Sequence, residues 1–149
     1  MPRTPIERNR PDDTRPPLFE FCVHGRPVSA QTGTRGRLTA WQRDIRAAAV
    51  AAWPAGQPPF SVAVELRITH YAKKPNADMD NLIKPIQDAL QGIAYVNDRV
   101  VKDVTGNWRD IDAPFRVRYI ARRLADAFSD GRPFVHIRLW RAPDEEDLG

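Results

Sequence analysis

The fold of this chain is decided by the stretch Ala77-Asp78-Met79-Asp80-Asn81-Leu82-Ile83-Lys84-Pro85-Ile86-Gln87-Asp88-Ala89-Leu90. Apolar residues recur in it at offsets of three and four, which is the spacing of one buried helix face. They are Leu82, Ile83, Ile86, Ala89, Leu90 and, just beyond, Ile93. Asp80 or Asn81 can cap the first turn, and Pro85 is tolerable only within or just past that turn. The pattern therefore predicts a helix that begins near Asn81.

The polar side of the same helix carries charged groups at a spacing of four residues. Asp80, Lys84 and Asp88 share one helical face, and Asp78 lies in extended chain just before it. Asp98 follows after a short connection, and we expect the chain to bring it back towards the open end of the helix. Crowded carboxylates repel one another, and a hard divalent cation relieves that repulsion, so we interpret the cluster as a Mg²⁺ or Mn²⁺ site.

A simpler explanation of the same residues stays open. Asp78 can cap the helix, Asp80 and Asp88 can pair with Lys84 on a solvated surface, and Asp98 can lie in a turn. Exposed pairs of this kind are common and contribute only about 0.3 to 0.5 kcal/mol each. It is the combination of acids and amine that favours a metal site.

The segment before this stretch alternates with a period of two, which is typical of a half-buried strand. Its inward positions are Phe60, Val62, Val64, Leu66 and Ile68, and its outward ones Ser61, Glu65, Arg67 and Thr69. The strand delivers the chain through Lys73 and Lys74 to Asp78. The acidic cluster should therefore lie at the end of a rigid element.

The remaining pattern predicts an α/β (α+β) fold, with helices packed on a mixed β-sheet in one small domain. Strands are expected at 18–24, from about Val100 to Trp108, and at 134–140. Thr39 and Gln42 fit a capping box that opens a helix ending after Trp53. The expected apolar stripe of that helix is Trp41, Ile45, Ala48, Ala49 and Ala52. A further helix is expected from Asp112 towards Gly131. Residues 18–141 form the predicted domain, between a disordered Pro/Arg-rich tail (1–17) and an acidic disordered tail (142–149).

Composition bounds the kind of protein and its partners. Cys22 is the only cysteine, which excludes an intramolecular disulfide and suits a reducing cytoplasm. No apolar run is long enough for a membrane span and the N-terminus has no signal-peptide pattern, so we expect a soluble cytoplasmic protein. The net charge is +4; because residues 1–17 carry +1 and 142–149 carry −4, the predicted domain carries +7. A basic body around an acidic pocket suits a polyanion held beside a cation.

Several basic and polar residues are candidates for contacts with the phosphates of DNA. They are Arg26, Arg35 and Arg37 in a glycine-rich loop, Lys73 and Lys74 after the strand, Asn81 on the central helix, and Arg118 and Arg122 on the helix after Asp112. An ordinary solvated surface explains each of these groups about as well.

The string Asp78-x-Asp80-Asn81-x-x-Lys84-x-x-x-Asp88-x-Leu90, followed by Asn97-Asp98 and a valine-rich run, resembles the RusA-type crossover junction endodeoxyribonucleases. The resemblance implies a dimeric nuclease that uses Mg²⁺ or Mn²⁺ to resolve Holliday junctions, with metal-binding aspartates at Asp78, Asp80 and Asp98 and a catalytic lysine at Lys84. This chain differs from the family pattern at Asn97, where an acid is common, and at Pro85.

We therefore expect a metal-dependent, structure-specific DNA endonuclease that acts on four-way junctions in recombination and repair. A homodimer would match the two-fold symmetry of such a junction. Two alternatives keep the same fold: a nuclease for other branched DNA, and a non-catalytic DNA-binding protein. Hydrolysis of a small phosphorylated metabolite is a third, and it would be insensitive to salt, unlike the binding of a polyanion.

Overall fold

The computed structural model describes residues 16–74, 78–112, 127 and 131–143. The helices and strands are, in chain order, β1 (Phe19–His24), α1 (Arg35–Ala52), β2 (Val64–Ala72), α2 (Met79–Ala89), β3 (Val101–Asp110) and β4 (Phe134–Arg141). A 3₁₀ turn, Asp98–Val100, precedes β3. The predicted strands near the two ends and the two central helices are thus present.

The strands form one mixed sheet in the order β1-β4-β2-β3. β4 pairs antiparallel with both β1 and β2, whereas β3 pairs parallel with β2. A parallel neighbour needs a crossover connection, because the chain must return to the same end of the sheet before it can pair. α2 makes that crossover. A mixed sheet with helices packed on it confirms the predicted α+β fold class.

The main core lies between one face of the sheet and both helices. Trp41, Ile45 and Ala49 of α1 and Ile86 and Ala89 of α2 are buried in it. They meet the alternate strand residues that point the same way, which are Phe19, Phe21, Val23, Val64, Leu66, Ile68, Val135, Ile137 and Leu139. The predicted apolar stripes of both helices are confirmed. Trp41, only 4% exposed, belongs to the core.

The other face of the sheet is polar, with Glu65, Arg67 and Thr69 pointing away from the main core as expected along β2, but it is largely buried. Glu65 and Thr69 are only 8% and 4% exposed. Trp140 and His136 of β4 lie directly opposite these two residues on the same face. β2 is a central strand, so side chains of the neighbouring strands shield its own side chains. The guanidinium of Arg67 stacks over the Trp140 ring, with its carbon 4.9 Å from the ring centroid.

β2 begins later than its alternation predicts. The strand starts at Val64, and Val62, expected to point inward, is exposed. Phe60 instead forms an isolated parallel bridge with Tyr95. Its backbone N–H and C=O bond to segment 94–96, which follows α2. The alternation of apolar residues from Phe60 to Ile68 does not distinguish one continuous strand from an isolated bridge followed by a shorter strand.

α1 begins earlier than predicted, and the capping box of Thr39 and Gln42 is wrong. The helix starts at Arg35, so both residues lie inside it. Thr34 closes the first turn through its backbone carbonyl, which accepts from the Arg37 N–H at 3.2 Å. The predicted loop with three arginines is consequently shorter, and two of its arginines belong to a rigid helix.

α2 also begins earlier than predicted. Its first residue is Met79 and its N-cap is Asp78, so Asp80 and Asn81 already lie within the first turn. Pro85 therefore falls beyond the first turn, where it is buried inside the helix. A proline at such a position removes one α-helical hydrogen bond, which leaves the carbonyl four residues earlier without its usual donor.

Parts of the prediction lie outside the described residues. These are most of the two terminal tails and the helix expected after Asp112, apart from Ala127, which is helical and buried against Tyr71 and Phe134. Among the residues described, no helix has the length and apolar character needed to cross a membrane.

The close approach of α2 to β3 depends on Gly106. A Cβ at this position would lie 2.7 Å from Ile83 Cδ1 and 3.1 Å from Met79 Cε. We predict that Gly106→Val lowers the free energy of unfolding by about 1 to 3 kcal/mol, because the added side chain overfills the helix–sheet contact. Urea denaturation measures this. Gly36→Ala is the control: nothing lies within 4 Å of a Cβ added there, and it should stabilise α1 by about 0.5 to 1 kcal/mol. Equal effects of both variants would contradict the packing argument.

Candidate active site

The connection from β2 to α2 starts from a fixed point. The carbonyl of Ala72, the last residue of β2, accepts from the Trp108 indole N–H at 3.1 Å and from the Ile111 N–H at 3.3 Å. These bonds fasten the end of β2 to the end of β3. Lys73 follows directly, and its Nζ lies 3.8 Å from Asp112 Oδ2, a largely exposed pair that contributes little to stability.

Asp78 and Asp80 mark the N-terminal end of α2. Both side chains are exposed, and neither forms an ion pair with any described residue. Asp78 is the N-cap by backbone position but its side chain makes no capping hydrogen bond. Asp80 lies in the first turn, where the partial positive charge of the helix end stabilises a carboxylate. Both carboxylates are therefore open to a cation or to solvent.

Lys84 joins two further carboxylates one turn along α2. Its Nζ lies 2.9 Å from Asp88 Oδ1 and 3.7 Å from Asp98 Oδ2. The hydrogen bond to Asp88, then the charges of Asp88 and Asp98, raise the pKa of Lys84. The lysine is therefore a fixed positive charge at neutral pH. Its side chain is 57% exposed, so the pairs stabilise the fold only weakly.

Asp98 lies beside the second half of α2, which corrects the expected return to the open end of the helix. Its backbone N–H is 3.3 Å from Gln91 Oε1, just past the helix. The reason is topological: β3 runs parallel to β2, so β3 starts at the end of the sheet towards which α2 runs. Asn97 caps the following 3₁₀ turn by accepting from the Arg99 N–H at 2.9 Å.

Two residues that support this arrangement were missed or left in a minor role by the sequence reasoning. Asp88 is the closest partner of Lys84, and its four-residue spacing was the available signal. Tyr95 is fully buried, and its hydroxyl donates to the Gln87 carbonyl. Burial, and then the nearby charges of Asp88 and Asp98, raise the pKa of Tyr95. No local pattern indicated this bond, because it depends on how the connection folds back on α2.

The carboxylates fit a hard cation by their chemistry and by their exposure. Among the described residues, no three acidic, histidine or cysteine side chains form a ready-made metal group. Mg²⁺, however, commonly keeps several waters and is held through one or two carboxylates. Asp78 and Asp80 at the helix end, with Asp98 along the same helix, are oxygen donors of the required kind. The metal role of these three residues stays a prediction.

The predicted DNA contacts are distributed around this helix. Arg26 is exposed in the loop after β1, and Arg35 and Arg37 are exposed in the first turns of α1. That end of α1 carries no acid, so the helix dipole and the two guanidinium groups add to one positive surface. Lys73 and Lys74 are exposed after β2, and Asn81 is half-buried in α2. Arg118 and Arg122 lie outside the described residues.

His70 is a buried titratable group near this region. It is 1% exposed, and neither ring nitrogen has a hydrogen-bond partner among the described residues. Burial, and then the charge of Arg26, lower the pKa of His70 to about 4. The side chain is therefore neutral across the physiological range and belongs to the core of the sheet end that leads to Asp78.

A comparison with protein families adds an independent finding. The model of a family described as Endodeoxyribonuclease RusA matches residues 20–139. The match runs from β1 to β4 and includes α2 with its acidic residues. A comparison with curated proteins gave no match.

The contacts of Lys84 predict how its pKa responds to the removal of each acidic partner. Removing an acidic partner lowers a lysine pKa, and the hydrogen-bonded partner should matter most. Asp88→Asn should therefore lower the pKa of Lys84 more than Asp98→Asn does, since the two distances are 2.9 and 3.7 Å. NMR titration of the Lys84 side chain measures both shifts. A larger shift in Asp98→Asn would contradict the observed geometry.

The lowered pKa of His70 predicts that the protein loses stability in mild acid. The unfolded chain takes up a proton at His70 near pH 6.5, whereas the folded chain resists it until about pH 4. Stability at this site is therefore full above pH 6.5 and falls by about 3 kcal/mol as the pH drops to 4. Denaturation at several pH values should show that His70→Phe removes this part of the slope. An unchanged slope in the variant would exclude a buried neutral imidazole.

Proposed function

Because the chain belongs to the RusA endodeoxyribonuclease family, we propose that it is a metal-dependent, structure-specific endonuclease that cuts Holliday junctions. The observation that carries the proposal is the charge arrangement along α2. Lys84 lies within 3.7 Å of Asp98, and Asp80 is one turn away on the same exposed helix face. Such a site suits phosphodiester hydrolysis, because carboxylates can bind a metal cation and an ammonium can stabilise negative charge on the phosphate.

In this proposal Asp78, Asp80 and Asp98 hold Mg²⁺ or Mn²⁺. When bound, the cation lowers the pKa of a water molecule and neutralises charge on the scissile phosphate. Asp78 and Asp80 would hold the cation from the N-terminal end of α2, and Asp98 would hold it from beside the helix. Asp78 is the N-cap of α2, which fixes its backbone relative to the helix. These residues therefore orient the phosphate against the helix face.

Lys84 acts by charge rather than as a base. Its raised pKa keeps the side chain protonated at neutral pH, so it cannot accept a proton from water. The short hydrogen bond to Asp88 holds the ammonium on the exposed face of α2. From there it can stabilise the negative charge that develops on the phosphate oxygens in the transition state. Asp88 is in this view a positioning residue for Lys84.

The surrounding basic residues would bind the DNA backbone. Arg26, Arg35, Arg37, Lys73 and Lys74 are exposed around α2, and Asn81 lies on the helix itself. Arg118 and Arg122 are proposed for the same role from the sequence alone. A net charge of +7 on residues 18–141 supports the retention of a polyanion close to acidic side chains.

The proposed substrate is a four-way junction, cut by a homodimer in recombination and repair. Two opposed cuts on a nearly two-fold junction require two sites related by a two-fold axis, which one dimer supplies. Other branched DNA, such as forks and flaps, would use the same side chains. A non-catalytic DNA-binding protein is the remaining candidate, and it would use the acids only in ion pairs such as that of Lys84 with Asp88.

A cleavage assay tests the proposal. The protein should cut a synthetic four-way junction with Mg²⁺ or Mn²⁺ and not with a chelator, whereas fork, flap and linear substrates measure selectivity. Asp80→Asn should reduce the cleavage rate by at least about 100-fold, the scale of losing one electrostatic group, with junction binding retained. Asp44→Asn, an exposed acid of α1, makes the same charge change and should cut normally.

Other results identify the alternatives. Binding of the junction without cutting under any divalent metal would contradict the enzyme and support the non-catalytic protein. Faster cutting of forks or flaps than of junctions would reassign the substrate. Activity on a small phosphate ester that is unaffected by salt would contradict DNA as the substrate, because backbone binding weakens steeply as salt rises.

A further inference from the structure

Pro85 leaves a backbone carbonyl of α2 without its helical partner. In an α-helix the N–H of residue 85 would donate to the carbonyl of Asn81, but proline has no N–H. The helix nevertheless continues through this position to Ala89. The Asn81 carbonyl is thus available to a donor from elsewhere, and Asn81 directly follows Asp80.

The donor comes from the loop between β1 and α1. The backbone N–H of Ala30 lies 2.9 Å from the Asn81 carbonyl oxygen. This bond links segment 25–34, which carries Arg26 and leads into Arg35, to the helix of Asp80 and Lys84. Because Pro85 has no N–H to donate, the Asn81 carbonyl can bond to Ala30, which is distant in sequence.

The first part of segment 25–34 is held by other means. Gly25 has a φ of +123° and donates its N–H to the Pro133 carbonyl at 3.1 Å. Pro27 is buried and Val28 packs against the main core. These contacts fix the beginning of the segment irrespective of Ala30.

The second part of the segment is held mainly through Ala30. Ser29 and Thr32 make local turns, in which their hydroxyls accept from the N–H groups of Gln31 and Thr34. Such bonds shape the segment but do not attach it to another element. Within the described residues, the Ala30–Asn81 bond is the backbone link from this part to the rest of the fold before α1 begins.

The same flank of α2 also receives α1. Gln42 Nε2 donates to the Pro85 carbonyl at 3.1 Å, and Arg46 Nε donates to the Ala89 carbonyl at 3.2 Å. The two donors are four residues apart on α1, and their acceptors are four apart on α2. The carbonyls of Asn81, Pro85 and Ala89 therefore lie on one flank of α2. The segment before α1 bonds to the first of them, and α1 bonds to the other two.

We propose that Pro85 is a positioning residue, which leaves the Asn81 carbonyl to Ala30 and so holds the second part of the segment, residues 29–34, which leads into Arg35, in register with Asp80 and Lys84. The proposal rests on the proposed function, because its consequence is the alignment of a DNA strand bound by Arg35 with the cutting site. Pro85 contacts neither DNA nor metal in this view. It acts through the segment that it allows to dock.

The experiment compares Pro85→Ala with the parent protein. Alanine restores an N–H at position 85, which competes with Ala30 for the Asn81 carbonyl. Hydrogen exchange measured by NMR should show the Ala30 amide exchanging about 2- to 10-fold faster, the range for losing one net hydrogen bond. Amides of β2 and β4 should keep their protection, and the thermal midpoint should not fall, because alanine favours the helix more than proline.

Junction binding and cleavage are measured on the same proteins. Pro85→Ala should raise the KM for the junction, with kcat reduced because bound DNA is less well aligned. Pro54→Ala, an exposed proline after α1, is the matched control and should change neither the Ala30 exchange nor the KM. An ester in place of the Ala30 amide removes the same donor directly. It should weaken junction binding in the parent and have less effect in Pro85→Ala, because both changes break one contact.

The outcomes separate this proposal from the proposed function. Unchanged exchange at Ala30 in Pro85→Ala would overturn the proposal, since the carbonyl would then serve both donors. Additive effects of the ester and Pro85→Ala on junction binding would also overturn it. If Pro85→Ala fails to fold, the ester alone decides: unchanged junction binding rejects the role of the link. A protein that binds junctions but never cuts them would refute the nuclease and leave the exchange and binding results interpretable.

Discussion

The fold depends on one constraint, which is that α2 must carry the chain from the end of β2 back to the start of a parallel β3. This crossover buries Ile86 and Ala89 against the sheet and brings Ile83 onto Gly106, where no larger residue fits without rearrangement. It also fixes the positions of the candidate site residues. Asp78 and Asp80 lie where the helix begins, Asp98 lies towards its end, and Lys84 lies between them within reach of Asp98.

This geometry explains why positive and negative groups can coexist on an exposed face. Lys84 compensates Asp88 of α2 and Asp98 beside it, so both acids are partly neutralised. Asp80 is stabilised by the helix dipole without a side-chain partner among the described residues. The N-terminal end of the helix thus keeps its carboxylates accessible, while the surrounding arginines and lysines are exposed and positively charged. Accessible carboxylates lie at the start of α2, and carboxylates paired with Lys84 lie towards its end.

The sequence predicted those features that depend on local periodicity. The stripes of α1 and α2 and the strands at both ends follow from spacing alone, because each element buries one face. The errors concern interactions between distant residues. Thr39 resembles a cap but lies inside α1, since the backbone of Thr34 closes the first turn. Glu65 alternates like a solvent-facing residue, yet Trp140 on the neighbouring strand shields it.

The candidate site was predictable in its residues and less so in its arrangement. The spacing of Asp80, Lys84 and Asp88 on one helix face was evident from the sequence and agrees with the ion pair of Lys84 and Asp88. The place of Asp98 was not, because it depends on whether β3 runs parallel or antiparallel to β2. Likewise, no local signal shows that Pro85 is tolerated in mid-helix because Ala30, far away in sequence, uses the carbonyl that the proline leaves open.

The order of the sheet also has a consequence for how this chain acquires its structure. β4 is inserted between β1 and β2, although it follows all the other strands in sequence. During synthesis, β1 consequently lacks its neighbour among the described strands, and one edge of β2 stays open, until β4 has emerged from the ribosome. Pairing of such remote segments closes large loops and is slow. A nascent chain stalled before β4 should therefore be sensitive to proteases and prone to aggregate, whereas the helices can form early from local contacts.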